Sequence, residues 1–436
     1  INNWKECIIL SYDGGGEDHS TVISVKKNGK TRAIKKIKWP NSLGHFYSFF
    51  TGFLGFQMLE GEYKMMGLAP LGKPKFKDQI LKKILMLKSN GEYKLNTKIC
   101  DYHAALENKF SKEIINIFGS PRIASSEPTQ EHINLACSVQ AAFEEAQSHM
   151  LNWVNKKYPN IKNLIISGGC ALNVSANGSI LKSGLFESIS VPPAPHDAGC
   201  AIGAALITLE RKNILLNNDK ESDSIVTPYL GAKYLNDDVE KAFLELNMDI
   251  PPSYGEDELI SKTVKALIDQ KIISWFQGKS EFGPRALGGR SFLADPRNDS
   301  IRDIINAKIK KRELFRPFAP SCTVESYNQF FEIEQLSPYM NIVTNVKDDK
   351  KMVIPAVTHT DGTARVHSVS KSSNYLYHRL ISEFGKLTGV PVLLNTSFNI
   401  QEPIVYSPKD AIKTFLNSDV DFLVINNFML EKKHYL

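Results

Sequence analysis

Leu164-Ile165-Ile166-Ser167-Gly168-Gly169-Cys170-Ala171-Leu172-Asn173 is the stretch whose reading decides the fold. Residues 164–167 read as a strand, two glycines follow, and a polar helix start stands near Asn173. Strand, Gly-Gly, helix is the local form of a loop that cradles phosphate with backbone N–H groups. Upstream, residues 134–157 read as an amphipathic helix. Leu135, Val139, Ala142, Phe143, Ala146, Met150, Trp153 and Val154 recur there at spacings of three and four. Downstream, a second short strand over 188–191 runs into Pro192-Pro193. Asp197 then opens a helix dense in small residues (Ala198, Gly199, Ala201, Gly203, Ala204, Ala205) that can pack close to a sheet or a ligand. Strands alternating with helices predict an α/β fold.

Towards the start, residues 7–12 read as a strand ending in Asp13-Gly14-Gly15-Gly16. Residues 21–26 and 31–37 flank Asn28-Gly29, the dipeptide of a tight hairpin turn. Towards the end, composition changes over 211–224, where Asn217, Asn218, Asp219, Lys220, Glu221, Ser222 and Asp223 read as a solvated linker. The domain boundary is placed there, giving domains 1–222 and 223–436. Beyond it a helix is expected over 237–246, then a strand over 272–276 feeding a loop rich in Gly and Arg.

The bulk numbers fit two or three globular domains: 436 residues, 42% hydrophobic and 23% charged. A net charge of +6 is mild; it suits anionic small substrates and does not demand nucleic acid. Six scattered cysteines without a CxxC pair argue against a zinc knot or disulfide framework and for a reducing, cytoplasmic compartment. The apolar run 46–59 is broken by Ser48, Thr51, Gly52, Gly55 and Gln57. It is too short and mixed to span about 30 Å of hydrocarbon, and reads as core.

The chemistry-bearing signal is sharpest in the second half. Gly278-Lys279-Ser280-Glu281-Phe282-Gly283-Pro284-Arg285-Ala286-Leu287-Gly288-Gly289-Arg290 places two arginines among four glycines after a strand. Glycines let backbone approach a ligand, and guanidinium groups hold phosphate oxygens with paired bonds. Lys310, Arg316 and Arg365 add cations, and Asn395 and Ser397 end an apolar strand. One lone Arg is most simply a surface cation; several in Gly-Pro-aromatic loops at strand ends point to a ligand with several phosphates. In the first half, Asp13 and Asp197 read either as a turn residue and a helix cap or as carboxylate ligands to a metal. Two carboxylates do not fix a metal, and no His-x-x-x-His spacing occurs. Cys170 and Cys200 read as small buried hydrophobes rather than nucleophiles.

Taken in order, several segments resemble the NodU/CmcH/TobZ-type O-carbamoyltransferases. They are Gly61-Glu62-Tyr63-Lys64-Met65-Met66-Gly67-Leu68-Ala69, Ser167 to Asn173, Asp197-Ala198-Gly199, Phe282 to Gly288, Arg312-Glu313 with Arg316 to Pro320, and Leu394 to Asn399. The resemblance implies a partial actin/sugar-kinase-like (TsaD-like) ATPase domain followed by a YrdC-like α/β domain. It implies two steps. Carbamoyl phosphate and ATP give carbamoyl adenylate in the second domain, and a hydroxyl of a small acceptor, such as a sugar or natural product, takes the carbamoyl group in the first. Carried over by position, Arg285, Arg290, Lys310, Arg316, Arg365, Asn395 and Ser397 line the first site. Gly168, Gly169 and Asn173 hold the adenylate in the second. Lys310, Arg316 and Asp197 act in catalysis. Asp13 and Asp197 are ligands to iron or a similar divalent ion, and magnesium accompanies ATP. Members of the family begin with further residues that include a paired-histidine segment, so the first lobe is expected to be incomplete here and transfer to be weaker than adenylation. No nucleic-acid or membrane partner is expected, and a homodimer is one expected assembly. The rival readings are a tRNA threonylcarbamoyl-type modification protein, a nucleotide-binding module without catalysis, and a plain sugar kinase.

Overall fold

The computed structural model describes residues 4–211, 227–333 and 335–434. The chain forms two compact units, Ile1–Val226 and Thr227–Leu436. The expected linker at 217–223 and the boundary at 222/223 lie outside the described residues.

The first unit is built on a five-stranded sheet of order β3-β2-β1-β6-β7. β1 (Cys7–Tyr12), β2 (His19–Lys27) and β3 (Lys30–Lys38) form an antiparallel meander. Its second turn is the expected Asn28-Gly29 pair. Both residues have positive φ (52° and 72°), as a two-residue turn matching the twist of the strands requires. β4 (Leu85–Lys88) and β5 (Glu92–Leu95) make a separate hairpin. β6 (Asn163–Ser167) then runs parallel to β1, with Ile8 opposite Leu164 and Leu10 opposite Ile166, and β7 (Ser188–Ser190) runs parallel to β6.

Parallel pairing needs a crossover, which the helix Gln130–Lys157 supplies. Thr129 caps that helix in a reciprocal box with His132, and its apolar stripe buries Leu135, Val139, Ala142, Phe143, Ala146 and Met150. The aromatic run is core, as expected: in the helix Leu43–Phe53, Phe46, Phe49, Phe50 and Phe53 are fully buried. Each such ring is worth about 2–3 kcal/mol of transfer free energy.

The small-residue helix differs from expectation. A short 3₁₀ turn, Asp197–Gly199, leads into the helix Cys200–Arg211, where Ala201, Ala204, Ala205 and Ile207 are exposed. A Cβ on Gly203 would meet nothing within 4 Å. The small residues therefore do not serve close packing inside this unit. Cys200 is exposed, which corrects its reading as a buried hydrophobe; Cys170 is buried as read.

The second unit has a seven-stranded mixed sheet of order β13-β10-β14-β9-β8-β15-β16. Its strands are β8 (Ile273–Phe276), β9 (Arg290–Ala294), β10 (Ala319–Thr323), β13 (His367–Val369), β14 (Val392–Ser397), β15 (Phe422–Ile425) and β16 (Phe428–Glu431). A two-stranded ribbon, β11 (Val343–Asn345) against β12 (Thr363–Arg365), stands apart from it. One core cluster gathers Phe276, Phe292, Phe318, Leu394 and Phe398; another gathers Trp275, Leu293, Tyr377, Phe384 and Leu393. Alternate residues of β8, β9 and β14 thus feed the two faces of the sheet, so these strands read as nearly continuous apolar runs. Both units are mixed α/β. Among the described residues no helix is long and apolar enough to cross a membrane.

Candidate active site

In the first unit, β1, β6 and β7 are parallel, so the residues after them leave the same edge of the sheet, where α/β folds place ligands. Asp13 follows β1. Its carboxylate accepts from the backbone N–H of Gly14 and of Gly169, each at 2.7 Å. The Gly-Gly loop is thereby tied to the strand beside it. Gly168 has φ +89°, and a Cβ there would lie 2.1 Å from the Tyr12 carbonyl oxygen; a Cβ on Gly169 would lie 2.8 Å from Asp13 Oδ1. Both glycines are demanded by this close approach. Gly168 N–H donates to the Pro195 carbonyl (2.7 Å), which brings the loop before Asp197 to the same place.

Asp197 is the first residue of its 3₁₀ turn, and His196 occupies the cap position. Asn173 is almost fully buried and its amide is engaged inside the fold. It exchanges two 3.0 Å hydrogen bonds with Gln140 and accepts from Ala176 N–H, capping the helix Val174–Lys182. Burial raises the Cys170 thiol pKa well above its usual range, and Asp13 and Glu62 push it the same way, so it stays protonated. Both oxygens of Asp13 already accept backbone N–H groups, and among the described residues no group of three or more His, Cys, Asp or Glu side chains is placed to hold a metal ion. Asp13 and Asp197 do not by themselves complete a metal shell.

In the second unit, the loop between β8 and β9 is folded around Glu281. One carboxylate oxygen accepts from Leu287 N–H (2.7 Å), Gly289 N–H (2.8 Å) and Arg290 N–H (3.3 Å). Trp275 Nε1 donates to Gly288 O (3.0 Å), and Gly288, at φ +91°, leaves no room for a Cβ against Tyr377. Arg290 is fully buried. Its guanidinium lies 3.5 Å above the Phe276 ring and donates to the carbonyls of Gln277, Gly278 and Gly289. Burial draws its pKa down to about 10 against the pull of Glu281. Arg290 therefore braces the loop from beneath.

Arg285 is displayed differently. It keeps some exposure, but its Nε is sealed without a hydrogen-bond partner, and burial draws its pKa down to about 10. Arg365, the last residue of β12, is depressed much further, first by burial and then by the charges of Arg285, Arg312 and Arg316. Three guanidinium groups thus lie near enough to act on Arg365, and Glu313 stands 3.7 Å from one of them, Arg316. Lys310 joins them from behind: it is buried, and burial followed by Arg312 and Arg316 lowers its pKa well below the usual range. Its ammonium donates to Ser397 O (2.5 Å), Ser397 Oγ (3.1 Å), Asn399 O (2.7 Å) and Asn399 Oδ1 (2.8 Å), so its three N–H groups are taken up by the end of β14. Asn395, also buried, donates to Ala286 O (3.1 Å) and Ser321 Oγ (3.0 Å), which leaves its Oδ1 without a partner.

Sequence reasoning assigned three participants no place in the site. Arg312 stands in the cation-bearing run Lys310-Lys311-Arg312 and in one of the family-like segments, but was given no role there. A π-helical turn, Ile305–Ile309, and a positive φ at Lys311 (47°) send Lys310 inward and Lys311 out. Asn306, wholly buried, shapes the same loop by bonding Arg312 Nε (2.7 Å) and the Leu314 and Arg316 carbonyls. His359 sits on the face of β12 that carries Arg365; nothing near it in sequence except Asp361-Gly362 marks a turn.

This set of loops lies within two family matches. Residues 3–206 match the description Carbamoyltransferase N-terminus and residues 264–432 match Carbamoyltransferase C-terminus. An uncharacterized protein of Synechocystis sp. is 38% identical over an alignment covering 98% of this chain and 73% of its own length. The chain belongs to the carbamoyltransferase family. Nodulation protein NolO of Bradyrhizobium diazoefficiens is also 38% identical, with 99% of this chain and 77% of that protein covered. Nodulation protein NolNO of Sinorhizobium fredii is 38% identical with 99% of this chain covered; the chain spans 62% of that protein's length. For a carbamoyltransferase the requirements are a carbamoyl donor and an acceptor, hence sites for an activated carbonyl and for the groups it leaves.

Proposed function

We propose that this carbamoyltransferase uses ATP to activate the carbamoyl group of carbamoyl phosphate and passes it to a hydroxyl of a small acceptor. The observation that carries the reading is the gathering of Arg285, Arg312 and Arg316 near enough to Arg365 to act on its charge, with buried Lys310 beside Arg312 and Arg316. Four cations held together against desolvation and repulsion suit a polyanion such as a triphosphate beside a phosphate. In this reading water displaces phosphate from carbamoyl phosphate. The carbamate left behind attacks the α-phosphorus of ATP, and pyrophosphate departs with its charge met by guanidinium groups. Arg316 and Arg365 hold the leaving group, Arg285 and Arg312 hold the donor, and Lys310, Ser397 and Asn395 fix the end of β14 against them. Arg290 supports the loop that presents Arg285.

The resulting carbamoyl adenylate is a mixed anhydride with AMP as leaving group. The nucleotide of the transfer step is assigned to the first unit, at the carboxyl edge of its parallel strands; the N–H groups of Gly168 and Gly169 are bonded to Pro195 O and Asp13, so these glycines would serve by close approach rather than by cradling phosphate with their own amides. The strand order of that unit supports an actin/sugar-kinase-like, TsaD-like assignment, and the mixed sheet and cation set of the second support a YrdC-like one. Asp13 and Asp197 would contribute to a metal site that needs further ligands, so no step is routed through a metal. Six unpaired thiols suit a cytoplasmic setting.

The test is release of pyrophosphate from ATP by the purified chain. Release that requires carbamoyl phosphate, with AMP appearing once a hydroxylated acceptor is added, is the expected result. Production of ADP instead of pyrophosphate would replace this reading with a kinase, and tight tRNA retention on a filter would favour threonylcarbamoyl-type chemistry.

A further inference from the structure

The cationic site of the second unit contains one group of opposite hydrogen-bonding character. Arg285, Lys310, Arg312, Arg316 and Arg365 are donors only. His359 is not. Its backbone N–H donates to Thr363 O (2.7 Å), and its Nδ1 meets Thr363 Oγ1 at 3.1 Å. The Thr363 hydroxyl spends its single proton on Asp361 Oδ1 (2.7 Å), which also accepts from Thr363 N–H (3.0 Å). Thr363 Oγ1 can therefore only accept from the imidazole, so the proton of the neutral ring sits on Nδ1 and Nε2 carries the lone pair. That Nε2 is closed off from solvent and makes no hydrogen bond of good geometry, although the Phe318 carbonyl lies close enough to the ring to pull its pKa up. Thr363 and Arg365 are two residues apart on β12, so their side chains leave the same face, and the imidazole attached to Thr363 stands beside the Arg365 guanidinium. Burial and Arg365 keep the ring neutral.

A phosphate has no use for an acceptor in this place, since its oxygens want donors. The amino group of a carbamoyl moiety does: it is the part of carbamoyl phosphate that donates. We infer that His359 is the specificity-determining residue for the carbamoyl donor, its Nε2 accepting a hydrogen bond from the donor's NH₂ while the arginines hold the phosphate. The inference rests on the reading of this unit as the site of carbamoyl phosphate. The imidazole is held in place by Thr363, whose hydroxyl is in turn fixed by Asp361.

Acetyl phosphate tests this, because it has the same shape with a methyl group where carbamoyl phosphate has NH₂. The affinities of both ligands for the whole chain are measured by titration calorimetry. The wild-type protein is expected to bind carbamoyl phosphate about tenfold more tightly than acetyl phosphate, the worth of one good hydrogen bond. In His359→Phe the ratio should fall to about one through weaker carbamoyl phosphate binding alone. Thr363→Val, which removes the group that fixes the tautomer but keeps the ring, should lower the ratio part of the way, and it decides the matter if the Phe variant does not fold. Equal weakening of both ligands would mean that His359 merely holds Arg365, and would overturn the inference, as would an unchanged ratio in both variants. Failure of the wild-type chain to bind either ligand would bring down the reading of the unit itself; discrimination that survives both substitutions brings down the role of His359 alone.

Discussion

Arg365 lies among three other guanidinium groups, of which Arg316 is partly offset by Glu313 at 3.7 Å. Arg365→Met should therefore raise the unliganded melting temperature, by roughly 2–4 °C for a gain of about 1 kcal/mol. Millimolar pyrophosphate should stabilise the wild-type protein, and the substitution should abolish that effect. Thermal unfolding with and without pyrophosphate checks both halves. A lower unliganded melting temperature would show that the arginines are paid for by contacts rather than held in wait. The cations themselves were legible in the sequence as residues in Gly- and Pro-rich loops. Their division of labour was not, because it depends on direction. Arg285 and Arg290 are five residues apart, yet one faces the other arginines and the other is stacked beneath the loop on Phe276.

At the scale of elements, the Gly168-Gly169 turn joins β6 to the short 3₁₀ helix Gly169–Leu172 and binds them to the end of β1. Gly184 also has positive φ (67°), but a Cβ there meets nothing within 4 Å. Gly184→Ala should cost about 1–2 kcal/mol, the backbone penalty alone. Gly168→Ala adds a collision with the Tyr12 carbonyl and should cost several times that or prevent folding of the first unit; urea unfolding of the two variants separates the effects. This turn, the Asn28-Gly29 hairpin and the helix Gln130–Lys157 were all readable, since each rests on local geometry or on a period. The exposed helix Cys200–Arg211 was misread because small residues permit close packing without supplying a partner. The ribbon of β11 and β12 left no trace, because three-residue strands are too short to show alternation.

For the whole molecule, acid should act through buried histidines. Burial draws His367 down to about 3 and His359 to about 4 in the second unit, and His45 down to about 4 in the first. An unfolded histidine titrates near 6.5, so below that pH the unfolded chain takes up protons that the folded one refuses. Stability should then fall as pH drops from about 6.5 towards 4, by up to about 1.4 kcal/mol per pH unit for each of these histidines. Urea unfolding of a chain in which Trp4, Trp39 and Trp153 are replaced by Phe, followed by the fluorescence of the remaining Trp275 at pH 7, 6 and 5, measures the slope. His367→Gln should flatten it by one histidine's share, and an unchanged slope would assign the effect elsewhere.

Among the described residues Cys200 is the one exposed thiol of the six, three positions beyond Asp197 in the turn that the Gly168 loop holds through Pro195. A maleimide dye would consequently label the folded protein first at Cys200, ahead of the half-buried Cys137, and in a Cys137→Ser background at that one place. Its emission would act as an optical gauge of occupancy at that edge of the first sheet, read in real time as nucleotide and acceptor are added in turn.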